Sequence, residues 1–269
     1  SVALSFHLVN CALLFLILFL IWRNLLVCVC GTVYFGVSLI AFRPIVWSPT
    51  FGETMALALS QACVVLMILA LRWPKHSYLM LLTLPMFLFA VKLKETYVLL
   101  APVLCLLPLM EGQTRHYLSA AARRYWRPSS QPMPVGSQSA FPKMEIAWAG
   151  LIGVLALMLA LSVETAVRDA KEPTHPYFLD FSVGTVLRSF SFFFSVLFRN
   201  SQDPLPTFLT VIILVVPWIW IILKRDKWAA FGWMWFLIFT LPISPLKNIR
   251  YEYYVYGASL GIVILRASA

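Results

Sequence analysis

Charge is what this sequence has least of. Asp, Glu, Lys and Arg together make up 12% of its 269 residues, about half the share of an average soluble domain, roughly 25%. The few charges cluster between long apolar runs, and 61% of the chain is hydrophobic. A soluble domain of this length must clothe its remaining surface in polar groups. This chain has too few of them, which excludes a soluble enzyme, a disordered chain and a nucleic-acid-binding module. Acid is scarcest, with 11 acidic against 21 basic residues. In a membrane protein such an excess reflects basic cytoplasmic loops. Cysteine spacing offers neither a metal site nor a disulfide framework: Cys11, Cys28, Cys30, Cys63 and Cys105 all lie in apolar stretches, as small packing residues do. There is no internal repeat and no glycine-rich phosphate loop.

Apolar runs are abundant instead. A bilayer core takes roughly 20 apolar residues per helix. The candidates are 3–22, 25–42, 54–71, 78–91, 96–110, 146–163, 207–223, 228–243 and 253–265. The fold class is therefore all-α, a polytopic helical membrane protein with about nine transmembrane helices. Several candidates are short, and Pro85, Pro102, Pro108, Pro217 and Pro242 interrupt them. Such helices suit the wall of a cavity better than a lipid-facing position.

If the first span runs from outside to inside, the cytoplasmic side carries twelve basic and three acidic residues, and the outer side nine and eight. The reverse orientation violates the positive-inside bias. Residues 1–110 then form the transmembrane helices of an N-terminal half. Residues 111–145 form a basic, Ser/Pro/Gln-rich cytoplasmic linker, or a short basic helix on anionic lipid. Residues 146–269 form the C-terminal half, with an outer loop and interfacial helix at 164–206. Within that loop Arg188, Ser191, Ser195 and Arg199 share one stripe of a helical wheel and phenylalanines fill the opposite face. This pattern predicts a helix lying flat in the outer interface, with its arginines available to a lipid phosphate. The chain opens on Ser1 and enters an apolar run at once. With the first residue outside, a preceding helix and outer loop are expected upstream.

The unusual residues gather at the outer turns. AFRPIVWSPTFGE contains Arg43 and Glu53, VKLKET contains Lys92, Lys94 and Glu95, and ISPLKNIRYEYYVYG contains Lys247, Arg250 and Glu252 with Tyr254 among four tyrosines. The first span opens with FHLVN, giving His7 and Asn10. Ionisable groups at membrane depth are functional candidates by default. Cations there suit a phosphate or pyrophosphate, and carboxylates suit sugar hydroxyls or general-base work. Plainer roles stand beside these. Lys92 can snorkel, Lys94 and Glu95 can pair within their turn, His7 can be a packing histidine, and Tyr253, Tyr254 and Tyr256 can belong to an interfacial aromatic belt.

These stretches resemble the GT-C superfamily of polyprenyl-phosphate-sugar-dependent membrane glycosyltransferases. The nearest resemblance is to the transmembrane, tetratricopeptide-bearing O-mannosyltransferase-like proteins and their bacterial relatives. FHLVN at 6–10 is similar to their F-H-x-x-N helix opening, and AFRPIVWSPTFGE at 41–53 to a turn with His where Arg43 stands. LKETYVLLAPVL at 93–104 is similar to their K-E turn and Pro-containing helix. WFLIFTLPISPLKN at 235–248 and EYYVYGASLG at 252–261 resemble their ending, with Tyr253 where the family has Arg.

The resemblance implies transfer of a sugar, such as mannose, from a polyprenyl-phosphate donor to a protein or glycan acceptor on the outer or luminal face. It places the catalytic acid on an outer loop upstream of this chain, so no catalytic residue is expected within it. Donor binding falls to His7, Asn10, Arg43, Glu53, Lys94, Glu95, Arg188, Arg250, Glu252 and Tyr254. Lys94 and Arg250 take the phosphate, and Glu95 and Glu252 orient hydroxyls or cations. No cofactor is expected; a divalent metal is allowed but not indicated. The expected partners are membrane lipid, the lipid-linked donor and the acceptor, and not nucleic acid. The expected site is a bacterial inner membrane, with the endoplasmic reticulum as the alternative. A transporter or flippase of lipid-linked or anionic substrates is the competing function, and a membrane scaffold subunit the plainest one.

Overall fold

The computed structural model describes residues 2–38, 45, 51–73, 76–108, 110, 150, 153, 174, 178–199, 201–248 and 252–268. Among these residues the chain is all-helical, with a single isolated bridge between Leu179 and Leu246 and no strand. The helices are α1 (Val2–Trp22), α2 (Leu25–Gly36), α3 (Phe51–Arg72), α4 (Leu79–Leu93) and α5 (Glu95–Pro108, opening on a 3-10 turn). They continue with α6 (Val183–Arg199), α7 (Thr207–Lys224), α8 (Lys227–Thr240) and α9 (Tyr256–Ser268, entered through the 3-10 turn Glu252–Val255). Only α1, α3 and α7 are both long and apolar enough to cross a membrane. The others are apolar but shorter. The span expected at 146–163 lies almost entirely outside the described residues, as does the linker 111–145.

Two corners show how the sequence turns the chain. After α1, Arg23 adopts a left-handed backbone (φ 52°) and Asn24 caps α2, its side-chain oxygen accepting from the Leu26 and Val27 amides at 3.0 and 3.3 Å. After α7, Arg225 does the same (φ 51°) and Asp226 caps α8, accepting from the Trp228 and Ala229 amides at 2.8 and 3.0 Å. A short polar cap relieves orphan N–H groups at each helix start. Both corners lie at one end of the bundle. There Arg72 of α3 donates to the Leu20 carbonyl of α1, and the Lys227 ammonium donates to the Met110 carbonyl at 2.9 Å. Arg266 closes α9 at the same end. This end is strongly basic, with Asp226 the sole acid among its described residues.

Helix α9 is the hub. It runs antiparallel to α8, and the two approach so closely that a Cβ on Gly232 would stand 2.6 Å from the Gly261 carbonyl oxygen and 2.7 Å from the Leu265 amide. Apolar helices whose surfaces differ little from lipid gain most from this kind of small-residue contact. Next to it Trp233 and Phe236 of α8 stack with Phe194 of α6, the centroids 5.2 Å apart for Trp233–Phe236 and 5.5 Å for Phe194–Phe236.

That stack changes the role expected of α6. The helix forms where the wheel places it, but its phenylalanine face is turned into the protein, with Phe190, Phe192, Phe193 and Phe194 buried. Its serine stripe is covered too. Ser191 donates to the Leu205 carbonyl at 2.5 Å and Ser195 to that of Asp203, so the returning segment 201–205 is held by the hydroxyls. α6 is therefore packed against the protein on both faces, and only Arg188 and Arg199 remain exposed on the stripe. Its start is tied down by Asp180, whose carboxylate accepts from the Ser182 amide at 2.9 Å and the Thr185 hydroxyl at 2.8 Å.

Two outcomes are expected. Gly261→Val forces α8 and α9 apart and costs about 1–3 kcal/mol. Thermal unfolding in detergent measures it against Gly184→Val, where an added Cβ meets nothing within 4 Å; equal melting points for the two variants contradict the close contact. The hydrogen bonds to Asp180, that from Ser182 above all, hold its carboxyl below the ordinary 3.8. A depressed carboxyl stabilises above its unfolded value and loses that contribution as pH falls through the folded one. Amide exchange at the start of α6 should rise below about pH 4, and Asp180→Asn should remove that acid limb.

Candidate functional site

The end of the bundle opposite the basic corners gathers the starts of α1, α3, α5 and α9 with the ends of α2 and α4. At its centre stands Tyr256, the first residue of α9, fully buried. Asn10 of α1 donates to the Tyr256 oxygen at 3.0 Å and to the Thr54 carbonyl of α3 at 2.9 Å. The Tyr256 hydroxyl meets His7 Nδ1 at 2.9 Å, and His7 Nε2 lies 3.1 Å from the Gly36 carbonyl of α2. A carbonyl only accepts, so Nε2 carries the proton, Nδ1 accepts, and Tyr256 donates. The chain of bonds has one direction: Asn10 to Tyr256 to His7 to Gly36. Phe35 lies against both rings, 5.5 Å from His7 and 5.4 Å from Tyr256.

Beside this chain sits a charged pair. Glu53, in the first turn of α3, is buried, and Lys94 Nζ lies 3.6 Å from its Oε1. Gly52 allows that approach, since a Cβ there would stand 3.0 Å from the Leu93 carbonyl oxygen. The Tyr97 hydroxyl donates to the Glu53 carbonyl at 3.3 Å and stands 3.2 Å from where a Gly257 Cβ would lie. Tyr97 thereby joins the ion pair to α9. Lys94 keeps 26% of its side chain accessible, while Glu53 keeps 6%. The pair is thus asymmetric, with a partly exposed lysine side chain and a buried carboxylate.

Of the residues selected from sequence, His7, Asn10, Glu53 and Lys94 are brought together. Glu95 stands next to Lys94 but is exposed, and Tyr254 is half-buried near the entry to α9. Lys94 pairs with Glu53 across helices, where a bridge to its neighbour Glu95 was one reading of the turn. Arg188 is exposed on α6 and pairs with no acid among the described residues. Arg43 and Arg250 lie outside the described residues, as does the side chain of Glu252. Sequence reasoning missed Tyr97 and, as a site residue, Tyr256, which the belt reading would have put at an interface. A usable signal exists: Tyr256 immediately precedes Gly257-x-x-x-Gly261, and a side chain at the head of a glycine face enters the crossing. Among the described residues no three His, Cys, Asp or Glu side chains converge on a metal-sized site.

Chemically the arrangement sets a partly exposed lysine against a buried carboxylate, on a scaffold of oriented neutral hydrogen bonds. Comparison of the chain with protein-family models, with curated proteins and with solved structures finds no match.

Removing the Tyr256 hydroxyl leaves His7 Nδ1 without its donor. Tyr256→Phe should cost about 1–3 kcal/mol, read as a lower melting temperature in detergent. An unchanged melting temperature would mean that the bond chain carries no structural load.

Proposed function

We propose that the chain forms the donor-binding part of a GT-C-type membrane glycosyltransferase, moving a sugar from a polyprenyl-phosphate donor to a protein or glycan acceptor on the outer or luminal face of a membrane. One observation carries this reading: Glu53, Lys94 and Tyr97 converge with His7, Asn10 and Tyr256 at a single end of the bundle. The opposite end holds Arg23, Arg72, Lys224, Arg225, Lys227 and Arg266, which by the positive-inside bias faces the cytoplasm. The polar cluster then faces outward, at the end of about nine spans, in a bacterial inner membrane or the endoplasmic reticulum.

In this proposal the Lys94 ammonium binds the donor phosphate, with Glu53 holding the cation in place and Arg250 as a second phosphate contact. Glu95 and Glu252 orient sugar hydroxyls. His7 and Asn10 act through Tyr256, fixing the wall of the cleft. None of these residues is assigned as the catalytic base. A transporter would place ionisable groups near mid-span. The polar residues at the middle of α3 are the neutral, fully buried Ser60 and Gln61, which favours the enzyme.

The test must separate binding from folding, because removing Lys94 strands a buried carboxylate, a loss of about 3–5 kcal/mol for a fully buried pair and less here, where Lys94 is partly exposed. In membranes carrying the intact protein, Lys94→Ala should lower transfer from a labelled polyprenyl-phosphate sugar about ten- to hundredfold, the worth of a charge-assisted hydrogen bond. The double variant Lys94→Ala/Glu53→Gln should recover the melting temperature without recovering transfer. Unchanged transfer in the single variant, or transfer restored in the double, overturns the assignment.

A further inference from the structure

A second feature lies between α2 and α9, away from the polar cluster. Gly31 presses α2 onto its neighbours; a Cβ there would stand 2.7 Å from Leu18 Cδ1 and 3.0 Å from Val263 Cγ1. Alongside that contact runs a cleft of about 400 Å³, within the ~300–1,000 Å³ of small-molecule sites. Leu26, Val27 and Cys30 line it from α2, and Val263 and Ala267 from α9. Its lining is apolar except at Arg266 and Tyr34.

Arg266 is held rather than loose. Its guanidinium lies 4.6 Å from the Tyr34 ring centroid and 4.9 Å from that of Phe198. Tyr34 is itself fixed by donating to the Leu197 carbonyl at 2.7 Å. Two aromatic faces thus bracket the cation, and no carboxylate among the described residues pairs with it. A guanidinium carries five N–H donors in a planar fork that matches a phosphate. Here the fork is preorganised, has no carboxylate partner among the described residues and opens on an apolar trough at the basic end of the bundle.

We propose that this cleft is a binding site for an anionic phospholipid, with the phosphate on Arg266 and an acyl chain along Leu26, Val27, Cys30 and Val263. Charge complementarity selects the occupant. A zwitterionic lipid brings its own ammonium to a cation, and a soluble phosphate leaves the trough empty. The site requires only that the bundle sits in a bilayer and does not rest on the glycosyltransferase reading.

Cys30 supplies the probe, being an exposed thiol in the cleft wall. The full chain, purified in mixed micelles with phosphatidylglycerol or phosphatidylcholine, is alkylated with a bulky maleimide and the modification is read at Cys30 by peptide mapping. Phosphatidylglycerol should slow the reaction about fivefold relative to phosphatidylcholine, the weight of one basic residue near an anionic lipid. Arg266→Gln should abolish the difference and Arg266→Lys should keep most of it. If Arg266→Gln fails to fold, Ala267→Trp fills the trough and leaves the charge in place; it should lose the phosphatidylglycerol that copurifies with the wild type. The proposal is overturned by equal protection from the two lipids, by protection that survives Arg266→Gln, by phosphatidylglycerol retained in Ala267→Trp, or by equal protection from glycerol phosphate alone, which would make it a free-phosphate site. A Cys30 that stays unreactive without lipid also overturns it, since the cleft would then be filled by the chain itself.

Discussion

A polar group buried among apolar helices must find its partner inside the protein, because no water is there to supply one. The Tyr256 hydroxyl is such a group, and much of the bundle is arranged around it. It accepts a hydrogen bond from Asn10 and donates one to His7, which fixes α1 against α9. His7 passes the constraint to the end of α2 through Gly36, and Asn10 passes it to the start of α3 through Thr54. Four helices are thereby registered by three side chains. The ion pair of Glu53 and Lys94 extends the registration to the end of α4, and Tyr97 returns it to α9 beside Gly257. Hydrophobic burial supplies the larger energy but has no direction. The hydrogen bonds decide which helix ends meet.

The remainder of the bundle is built by different means. At the basic end, left-handed arginines followed by Asn24 or Asp226 turn the chain in the shortest distance and leave cations outward. Along the side, the α8–α9 glycine contact and the aromatic stack of Phe194, Trp233 and Phe236 hold helices by shape. The two ends consequently differ in kind. One is a collar of exposed cations. The other is a partly enclosed set of neutral hydrogen bonds around a buried carboxylate, with Lys92 exposed and Lys94 partly exposed among its described residues. Sidedness of this type is what a protein needs if it works at one face of a membrane, and the proposed function depends on it.

The class of the fold was legible in the sequence because it rests on composition and on apolar run length. Helices occupy eight of the nine stretches marked as apolar, the ninth lying almost wholly outside the described residues. His7, Asn10, Glu53 and Lys94 were legible as candidates because polar residues stand out near the ends of apolar runs. Their partners were not. Lys94 meets Glu53 rather than Glu95, and Tyr256 meets residues almost 250 positions away; neither pairing leaves a periodic trace. The helical wheel of α6 identified the stripe of Ser191 and Ser195 but could not say what covers it. A returning segment of carbonyls satisfies those hydroxyls as well as water would, and the phenylalanines find an aromatic wall in place of lipid.

Central to the proposed function is the binding of a lipid-linked phosphate at the Lys94 end of the bundle. Photo-crosslinking measures this most directly: a benzophenone-bearing polyprenyl phosphate is irradiated with the intact protein in its membrane, and the adducts are mapped by peptide sequencing. Adducts are expected in 51–55 and 92–97, suppressed by excess polyprenyl-phosphate sugar and not by phosphatidylglycerol. Adducts confined to the α2–α9 cleft or the basic end, or suppressed equally by phosphatidylglycerol, would contradict it.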